Sequence, residues 1–116
     1  MDKYMEKKGR ITKNSEYQQV FQHGKSVASR GLVLIMLKNN ANGNRTGFIT
    51  SKKIGNAVIR NRVKRLLRET YKMYAADLAT GYDLVFVARR PAAGFDFKQA
   101  AAEMRRVLQR GGLFTV

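Results

Sequence analysis

The feature that most constrains the fold is a long amphipathic segment near the middle of the chain. Asn56 is a suitable N-cap, and helical periodicity runs from about residue 57 to residue 74. At about 100° per residue, one side of this helix is apolar and the other is basic. The apolar side carries Ile59, Val63, Leu66, Leu67, Thr70, Met73 and Tyr74, and the opposite side carries Arg60, Asn61, Lys64, Arg65, Arg68 and Lys72, with Arg62 at the boundary. The helix is therefore predicted to pack against a core while it exposes positive charge.

Strands are predicted on both sides of this helix. Residues 32–37 are apolar on both faces, which indicates a strand that is central or covered. The Asn- and Gly-rich residues 39–44 favour a hairpin connection, because Asn and Gly tolerate the positive φ of such turns. The predicted elements are a short helix from Asn14 or Ser15 to Gly24, an extended piece at residues 26–29, strands at residues 30–38, 45–52 and 82–88, and a last helix from Phe95 or Asp96 to about Arg110.

The order of these elements is α-β-β-β-α-β-α, which predicts an α+β fold. We expect a small two-layer sandwich with three helices and a mixed, mostly antiparallel sheet of about four strands. If the strands before and after the long helix run parallel, the helix is a crossover, and right-handed crossovers are the default. The predicted domain spans residues 14–112, after a basic N-terminal arm of residues 1–13 and before a short tail of residues 113–116.

The composition excludes several kinds of chemistry. The chain has 116 residues with no cysteine and one histidine, which excludes thiolate nucleophiles, disulfides and zinc sites built from Cys or His clusters. The 8 Asp and Glu residues are spread along the sequence without a paired-carboxylate motif for metal-assisted hydrolysis. No apolar run approaches the roughly 20 residues of a spanning helix, and no signal peptide is evident. We therefore expect a cytoplasmic protein with no membrane partner, no catalytic residue and no metal site.

The net charge of +15 indicates a polyanionic partner, and much of this charge lies on the long helix. A solvated helix usually mixes both signs, whereas Arg60, Lys64, Arg68 and Lys72 repeat one sign at every fourth residue, which costs helix stability. An anionic partner removes this cost, and arginine has the planar fork that matches phosphate. The pattern predicts binding to nucleic acid, for which we favour RNA.

The run from Thr50 to Glu69 resembles the signature of the bacterial ribonuclease P protein subunit, with Arg60-Asn61-Arg62 as its diagnostic core. Since Arg-Asn-Arg alone is common in basic proteins, the specificity comes from the long ungapped run and its flanks. The similarity extends to residues 13–24, to the strand that begins at Arg30, to Tyr82-Asp83 and to residues 88–92. It therefore spans nearly the whole chain.

The resemblance implies a protein that assists a catalytic RNA in the endonucleolytic removal of the 5′ leader from precursor tRNA. The implied partners are ribonuclease P RNA and precursor tRNA, with magnesium ions held mainly by RNA and with no DNA partner. The RNA subunit would be contacted through Lys53, Arg60, Asn61, Arg62, Lys64, Arg65 and Arg68. The resemblance also implies a left-handed crossover, against the physical default, and we adopt that expectation.

The resemblance further implies a cleft, between the first helix and the open face of the sheet, that holds the single-stranded leader. The candidate residues are Tyr17, Phe21, Ile35, Phe48, Ser51 and Lys52. Aromatic stacking on a basic surface is a common way to hold a single strand. From helical spacing alone, however, Tyr17 and Phe21 would be core residues. Ile35 stands where related sequences often have an aromatic residue, and the tail is apolar where many relatives are basic, so the tail receives no RNA role.

Three other functions remain open at this point. A ribosomal or other structural RNA-binding protein fits the same composition and has no processing role. An autonomous nuclease would need an unrecognised carboxylate pair, or His23 as a general base. DNA binding by a helix in the major groove fits the charge, but no helix-turn-helix organisation is recognisable.

Overall fold

The computed structural model describes residues 9–116, so the part of the predicted basic arm formed by residues 1–8 lies outside the described residues. The helices are α1 (Asn14–His23), α2 (Ala57–Tyr74) and α3 (Phe97–Arg110), and the strands are β1 (Lys25–Ala28), β2 (Leu32–Lys38), β3 (Arg45–Ile49) and β4 (Tyr82–Ala88). Short 3₁₀ turns at Ala75–Asp77 and Arg90–Gly94 flank β4. The predicted order of elements is confirmed.

The strands form a mixed sheet in the order β1-β2-β4-β3 within the described residues. The β1–β2 and β2–β4 pairs are antiparallel, and the β3–β4 pair is parallel. Helix α2 therefore connects two parallel strands that lie side by side, as a crossover must. The mixed, mostly antiparallel sheet is confirmed, while the handedness of the crossover stays a prediction.

One face of the sheet packs against α2 and α3 and forms the main core. Leu34 of β2 and Phe86 of β4 are fully buried there, together with Leu67 of α2 and Met104 of α3. Each large side chain buried in this way contributes about 1.5–3 kcal/mol. These two layers correspond to the predicted sandwich.

Helix α1 lies on the opposite face of the sheet. Its Val20 is fully buried against Val85 and Ile11, while Ile35 and Val87 pack around this second, smaller cluster. The second face is thus partly covered by a short helix. Any open surface on it lies beside α1.

The ends of α2 and β3 are set by one turn. Asn56 accepts a hydrogen bond from the Ile59 amide at 3.0 Å, which confirms it as the N-cap of α2. Gly55 has a φ of +151°, a conformation that side-chain-bearing residues rarely adopt. Strand β3 ends at Ile49, three residues before the predicted end at Lys52, because the Ile54 amide donates to the Ser51 carbonyl and turns the chain.

The tail packs onto the domain. Leu113 is buried in the main core, and the ring of Phe114 meets that of Tyr74 edge-on at 5.8 Å. The Thr115 amide donates to the Asp77 carbonyl at 2.9 Å. Residues 113–115 therefore brace the end of α2. Among the described helices, none is both long and apolar enough to cross a bilayer.

Candidate nucleic-acid interface

The exposed side of α2 is basic, as predicted. Val63, Leu67 and Thr70 are buried against the core, and Asn61, Arg65 and Arg68 are exposed. Met73 departs from the prediction because its side chain is 53% exposed. The buried stripe continues from Thr70 toward Tyr74, so Met73 falls on its rim in the last turn.

Two of the predicted phosphate-binding arginines also make contacts within the protein. The Arg60 guanidinium donates to the Gly55 carbonyl at 2.7 Å and reinforces the turn before α2. The Arg62 guanidinium donates to the carbonyls of Ala93 at 2.6 Å and Phe95 at 3.2 Å. Arg62 therefore ties α2 to the segment that precedes α3. A guanidinium has five N–H donors, so both side chains keep donors for another partner.

An open cavity of about 890 Å³ lies along the edge of the sheet at β3. Its cationic side chains are Arg10, Lys64, Arg68 and Lys72, and its aromatic side chains are Tyr17, Phe48 and Tyr71. The outer edge of β3 pairs with the chain before α1, since the Ile11 amide donates to the Thr46 carbonyl and the Thr46 amide to the Gly9 carbonyl. This cavity combines positive charge with aromatic rings, and we call it the edge cavity.

Arg10, Tyr71 and Lys72 of the edge cavity were absent from the predicted site. Lys72 and Tyr71 lie in the last turns of the helix whose basic side was recognised. Extending the predicted site to the end of that helix would have included them. Arg10 comes to the cavity through the pairing of residues 9–11 with β3. No local sequence pattern indicates that pairing.

Tyr17 lies directly on the backbone of β3. A Cβ atom at Gly47 would be 2.4 Å from the Tyr17 hydroxyl oxygen, so the ring fits only because residue 47 has no side chain. Burial raises the pKa of the Tyr17 phenol, which keeps the hydroxyl protonated and able to donate. Phe21 is 43% exposed, and its ring centre is 6.3 Å from that of Tyr17. The two rings form an aromatic surface along α1.

Phe48 does not join this aromatic surface. Gly47 faces α1, and since side chains alternate along a strand, Phe48 faces α2. Its ring stacks on Phe86 at 5.3 Å, and the Arg68 guanidinium carbon lies 5.9 Å from its centre. The predicted leader-binding set is therefore divided between two faces of the sheet.

The remaining candidates lie on β2, in the turn after β3 and at the end of α1. Ile35 is half-buried on the α1 face, in the cluster that also contains Tyr17. Ser51, Lys52 and Lys53 are exposed in the turn after β3, where the Ser51 hydroxyl accepts a hydrogen bond from the Lys53 amide at 3.3 Å. His23, the candidate base of the nuclease alternative, is exposed in the last turn of α1.

An ion-pair network holds α1 beside the edge cavity. The Arg45 guanidinium on β3 donates to both carboxylate oxygens of Asp83, at 2.9 and 2.6 Å, and to Glu16 at 2.6 Å. The bond with Asp83 raises the pKa of Arg45, and the bond from Arg45 lowers the pKa of Glu16. Since Glu16 immediately precedes Tyr17, this network fixes the helix that carries the aromatic surface.

The described residues contain no group of three or more His, Cys, Asp or Glu side chains arranged to hold a metal ion. The exposed side of α2, the edge cavity and the aromatic surface of α1 present cations, amides and aromatic rings, groups that bind phosphates and bases. These features define a small basic α+β protein suited to binding nucleic acid.

Comparison with known proteins gives the particular family. The sequence profile of the family described as Ribonuclease P matches residues 5–112. The chain is 42% identical over 109 residues to the ribonuclease P protein component of Clostridium botulinum (strain Langeland), covering 93% of this chain and 98% of that protein. It is 44% identical over 111 residues to that of Exiguobacterium sibiricum, covering 95% and 96%. The chain belongs to the ribonuclease P protein family.

Solved structures agree with this assignment. A Staphylococcus aureus RNase P protein mutant with defective mRNA degradation activity is 34% identical, with a TM-score of 0.91 and coverage of 97% of this chain and 96% of that one. The RNase P protein from Thermotoga maritima is 26% identical, with a TM-score of 0.80 and coverage of 87% of this chain and 96% of that one. Family and fold are confirmed, and with them the function as a protein subunit of ribonuclease P, an endoribonuclease that acts on tRNA precursors.

Proposed function

We propose that this chain assists a catalytic RNA with two separate surfaces, one for the RNA subunit and one for the 5′ leader of precursor tRNA. The magnesium ions of the reaction are held mainly by RNA, and the protein contributes binding and positioning. The complex works in the cytoplasm. The observation that carries the proposal is that the basic side of α2 and the aromatic residue Tyr17 of α1 lie on opposite faces of the sheet, while both reach the edge cavity at β3.

The surface for the RNA subunit is the exposed side of α2. Arg65 is exposed and makes no side-chain hydrogen bond among the described residues, so its whole fork is available to phosphate. Lys64, which precedes Arg65, and Arg68, which follows it by three residues, line the edge cavity. Asn61 is exposed one turn before Arg65. Arg60, Arg62 and Lys53 complete the proposed contact at the start of the helix. Because Glu69 is the one acid on α2, phosphates would relieve repulsion along the whole helix.

The surface for the leader is formed by Tyr17 and Phe21 together with Ile35 of β2, and it extends to Ser51 and Lys52 in the turn after β3. An exposed ring such as Phe21 can stack on a base, and such stacking contributes about 1–3 kcal/mol per base. Lys52 is exposed and provides charge for the backbone of the same strand. We assign Phe48 a different role, since its ring packs on Phe86 and supports Arg68 instead of facing Tyr17.

Reconstitution tests the proposal. The protein alone should leave precursor tRNA intact, and its addition to the RNA subunit at low magnesium concentration should restore cleavage at the leader junction. A protein that cleaves precursor tRNA without the RNA subunit would contradict the division of roles, as would an RNA subunit that gains nothing from the protein. A His23→Ala variant should retain full stimulation, because the proposed function gives the imidazole no part in proton transfer.

A further inference from the structure

A second group of arginines lies at the edge of the sheet opposite the edge cavity. Arg30, Arg89, Arg106 and Arg110 surround the turn between β1 and β2, and all four are exposed. We call them the hairpin arginines. Since the turn joins β1 and β2 in the order β1-β2-β4-β3, it lies two to three strand spacings from the edge cavity at β3, roughly 10–14 Å at about 4.8 Å each. Neither the RNA-subunit surface nor the leader surface includes them.

Each hairpin arginine is held by a specific contact at this turn. Arg89 donates to the Ser29 carbonyl at 3.1 Å, and Arg110 donates to the Ala28 carbonyl at 2.6 Å. Arg106 pairs with one carboxylate oxygen of Glu103. The other oxygen of Glu103 accepts from the Ser29 hydroxyl and the Gly31 amide, both at 2.7 Å. Arg89, Arg106 and Arg110 thus converge from two other parts of the chain on residues 28–31, which include Arg30.

Arg30 is held by an aromatic ring. Its guanidinium carbon lies 5.8 Å from the centre of the Phe95 ring, within the range of a cation–π contact. Phe95 is buried and occupies the space beside Gly31, where a Cβ atom would come within 2.3 Å of the ring. The ring that supports Arg30 is therefore fixed in the core.

The charges at this turn are far from balanced. Among the described residues, one carboxylate pairs with any of these four guanidinium groups, that of Glu103 with Arg106, and Glu103 is buried. Ala28 is exposed at the end of an edge strand, where water can satisfy its carbonyl, so the backbone does not require the bond from Arg110. Arg89 and Arg110 each use one N–H in their bonds to the turn and keep the others for a partner. Because the side chains are already held in place, less rotamer entropy is lost when an anion binds.

We propose that the hairpin arginines bind backbone phosphates of RNA and give the protein a second RNA contact, on the edge of the sheet opposite α2. This inference rests on the proposed function only for its choice of RNA as the polyanion. The phosphates could come from the RNA subunit or from precursor tRNA, which present the same chemistry. The two sources differ in the binding step that the arginines would affect.

The test compares an Arg106→Gln/Arg110→Gln variant with Arg105→Gln as a matched control. Arg105 is exposed on the same helix but lines a depression with Tyr74 and Phe114, away from the turn. Affinities are measured over a series of salt concentrations, first for the RNA subunit and then for precursor tRNA binding to the assembled holoenzyme. Each lost phosphate contact lowers the log–log salt slope by roughly 1, so the double variant should lose about 2 in one of the two steps. The step that changes identifies the source of the phosphates.

Equal slopes for the double variant and the Arg105→Gln control in both steps would overturn the inference. An Arg106→Lys/Arg110→Lys variant, which keeps the charge, should retain most of the slope. If the double glutamine variant does not fold, as judged by thermal unfolding, Arg110→Gln alone is used, with an expected loss of about 1. Stimulation of cleavage by the unmodified protein is recorded in parallel. Normal stimulation with unchanged slopes would reject only the second contact, whereas absent stimulation would reject the proposed function.

Discussion

The basic side of α2 and the aromatic surface of α1 lie on opposite faces of one sheet, and the protein holds them in place by different means. Helix α2 is fixed by a buried stripe that includes Leu67 and by the bonds from Arg62 to the backbone before α3. Helix α1 buries one residue fully, Val20, and depends on the ion pairs of Arg45 at its start. The basic surface therefore lies on a helix of the main core, whereas the aromatic surface lies on a helix that packs on the other side of the sheet. Each can be disturbed separately.

The largest effect should come from removing the core contact of α2. Leu67→Ala deletes a fully buried side chain and should lower the free energy of unfolding by about 2–5 kcal/mol, because the lost apolar burial leaves a cavity. Urea denaturation measures this loss. Val58→Ala is the control, since Val58 is 77% exposed on the same helix and its truncation should change stability by less than about 0.5 kcal/mol. Equal losses in the two variants would mean that α2 is not packed as described.

A smaller and more local effect is expected at the α1 surface. Gly47→Ala places a Cβ atom 2.4 Å from the Tyr17 hydroxyl oxygen, so the ring must move off the strand. Precursor tRNA should bind the holoenzyme more weakly, by up to the loss of one stacked base, about 1–3 kcal/mol. Mature tRNA, which has no leader, should bind as before.

The control for this experiment is another glycine in the same half of the chain. Gly43→Ala introduces a Cβ atom with no other atom within 4 Å, so it should leave both affinities unchanged. If Gly47→Ala weakened mature and precursor tRNA equally, Tyr17 would not be acting on the leader.

The smallest effect should come from the ion pair that attaches α1. The hydrogen bond from Arg45 lowers the pKa of Glu16 below its ordinary value of 4.5, so the unfolded chain takes up a proton first as the pH falls. The stabilisation is therefore complete above pH 4.5 and is lost as the pH drops through the lower, folded-state pKa. Glu16→Gln should cost about 0.2–1 kcal/mol at neutral pH and should flatten the decline in stability toward acid pH.

Chemical denaturation over a pH series measures this effect. Glu69→Gln makes the same charge change on α2, where Glu69 is exposed and has no ion pair among the described residues. Its stability should follow the pH profile of the unmodified protein. A Glu16→Gln profile that coincides with both would mean that the ion pair does not hold α1.

The two surfaces also differ in how far they could be predicted. The periodicity of residues 57–74 gave the bounds of α2 and its basic side, because one helix contains both the apolar stripe and the charges. The N-cap Asn56 and the strands β2 and β4 were likewise evident, since turn residues and apolar runs are local signals. Such local signals can be recognised in the sequence without knowledge of the tertiary structure.

The α1 surface depends on contacts between distant parts of the chain. The position of Tyr17 is set by Gly47, 30 residues away, and that of α1 by Arg45 on the neighbouring strand. The sequence did not show that the Phe48 and Tyr17 rings lie on opposite faces of β3, although both line the edge cavity. The bonds of Arg62 to Ala93 and Phe95 had no sequence signal either. Contacts of this kind follow from topology and register.

The separation of the two surfaces is tested most directly by one paired titration. Arg65→Ala and Tyr17→Ala are each assayed for affinity to the RNA subunit and for the difference in holoenzyme affinity between precursor and mature tRNA, over a series of salt concentrations. Arg65→Ala should weaken RNA-subunit binding and shallow its log–log salt slope by roughly 1, with the leader contribution intact. Tyr17→Ala should remove about 1–3 kcal/mol of leader binding, with the RNA-subunit affinity and its slope unchanged. If either variant reduced both quantities alike, the two surfaces would act as one, and the proposed separation would be contradicted.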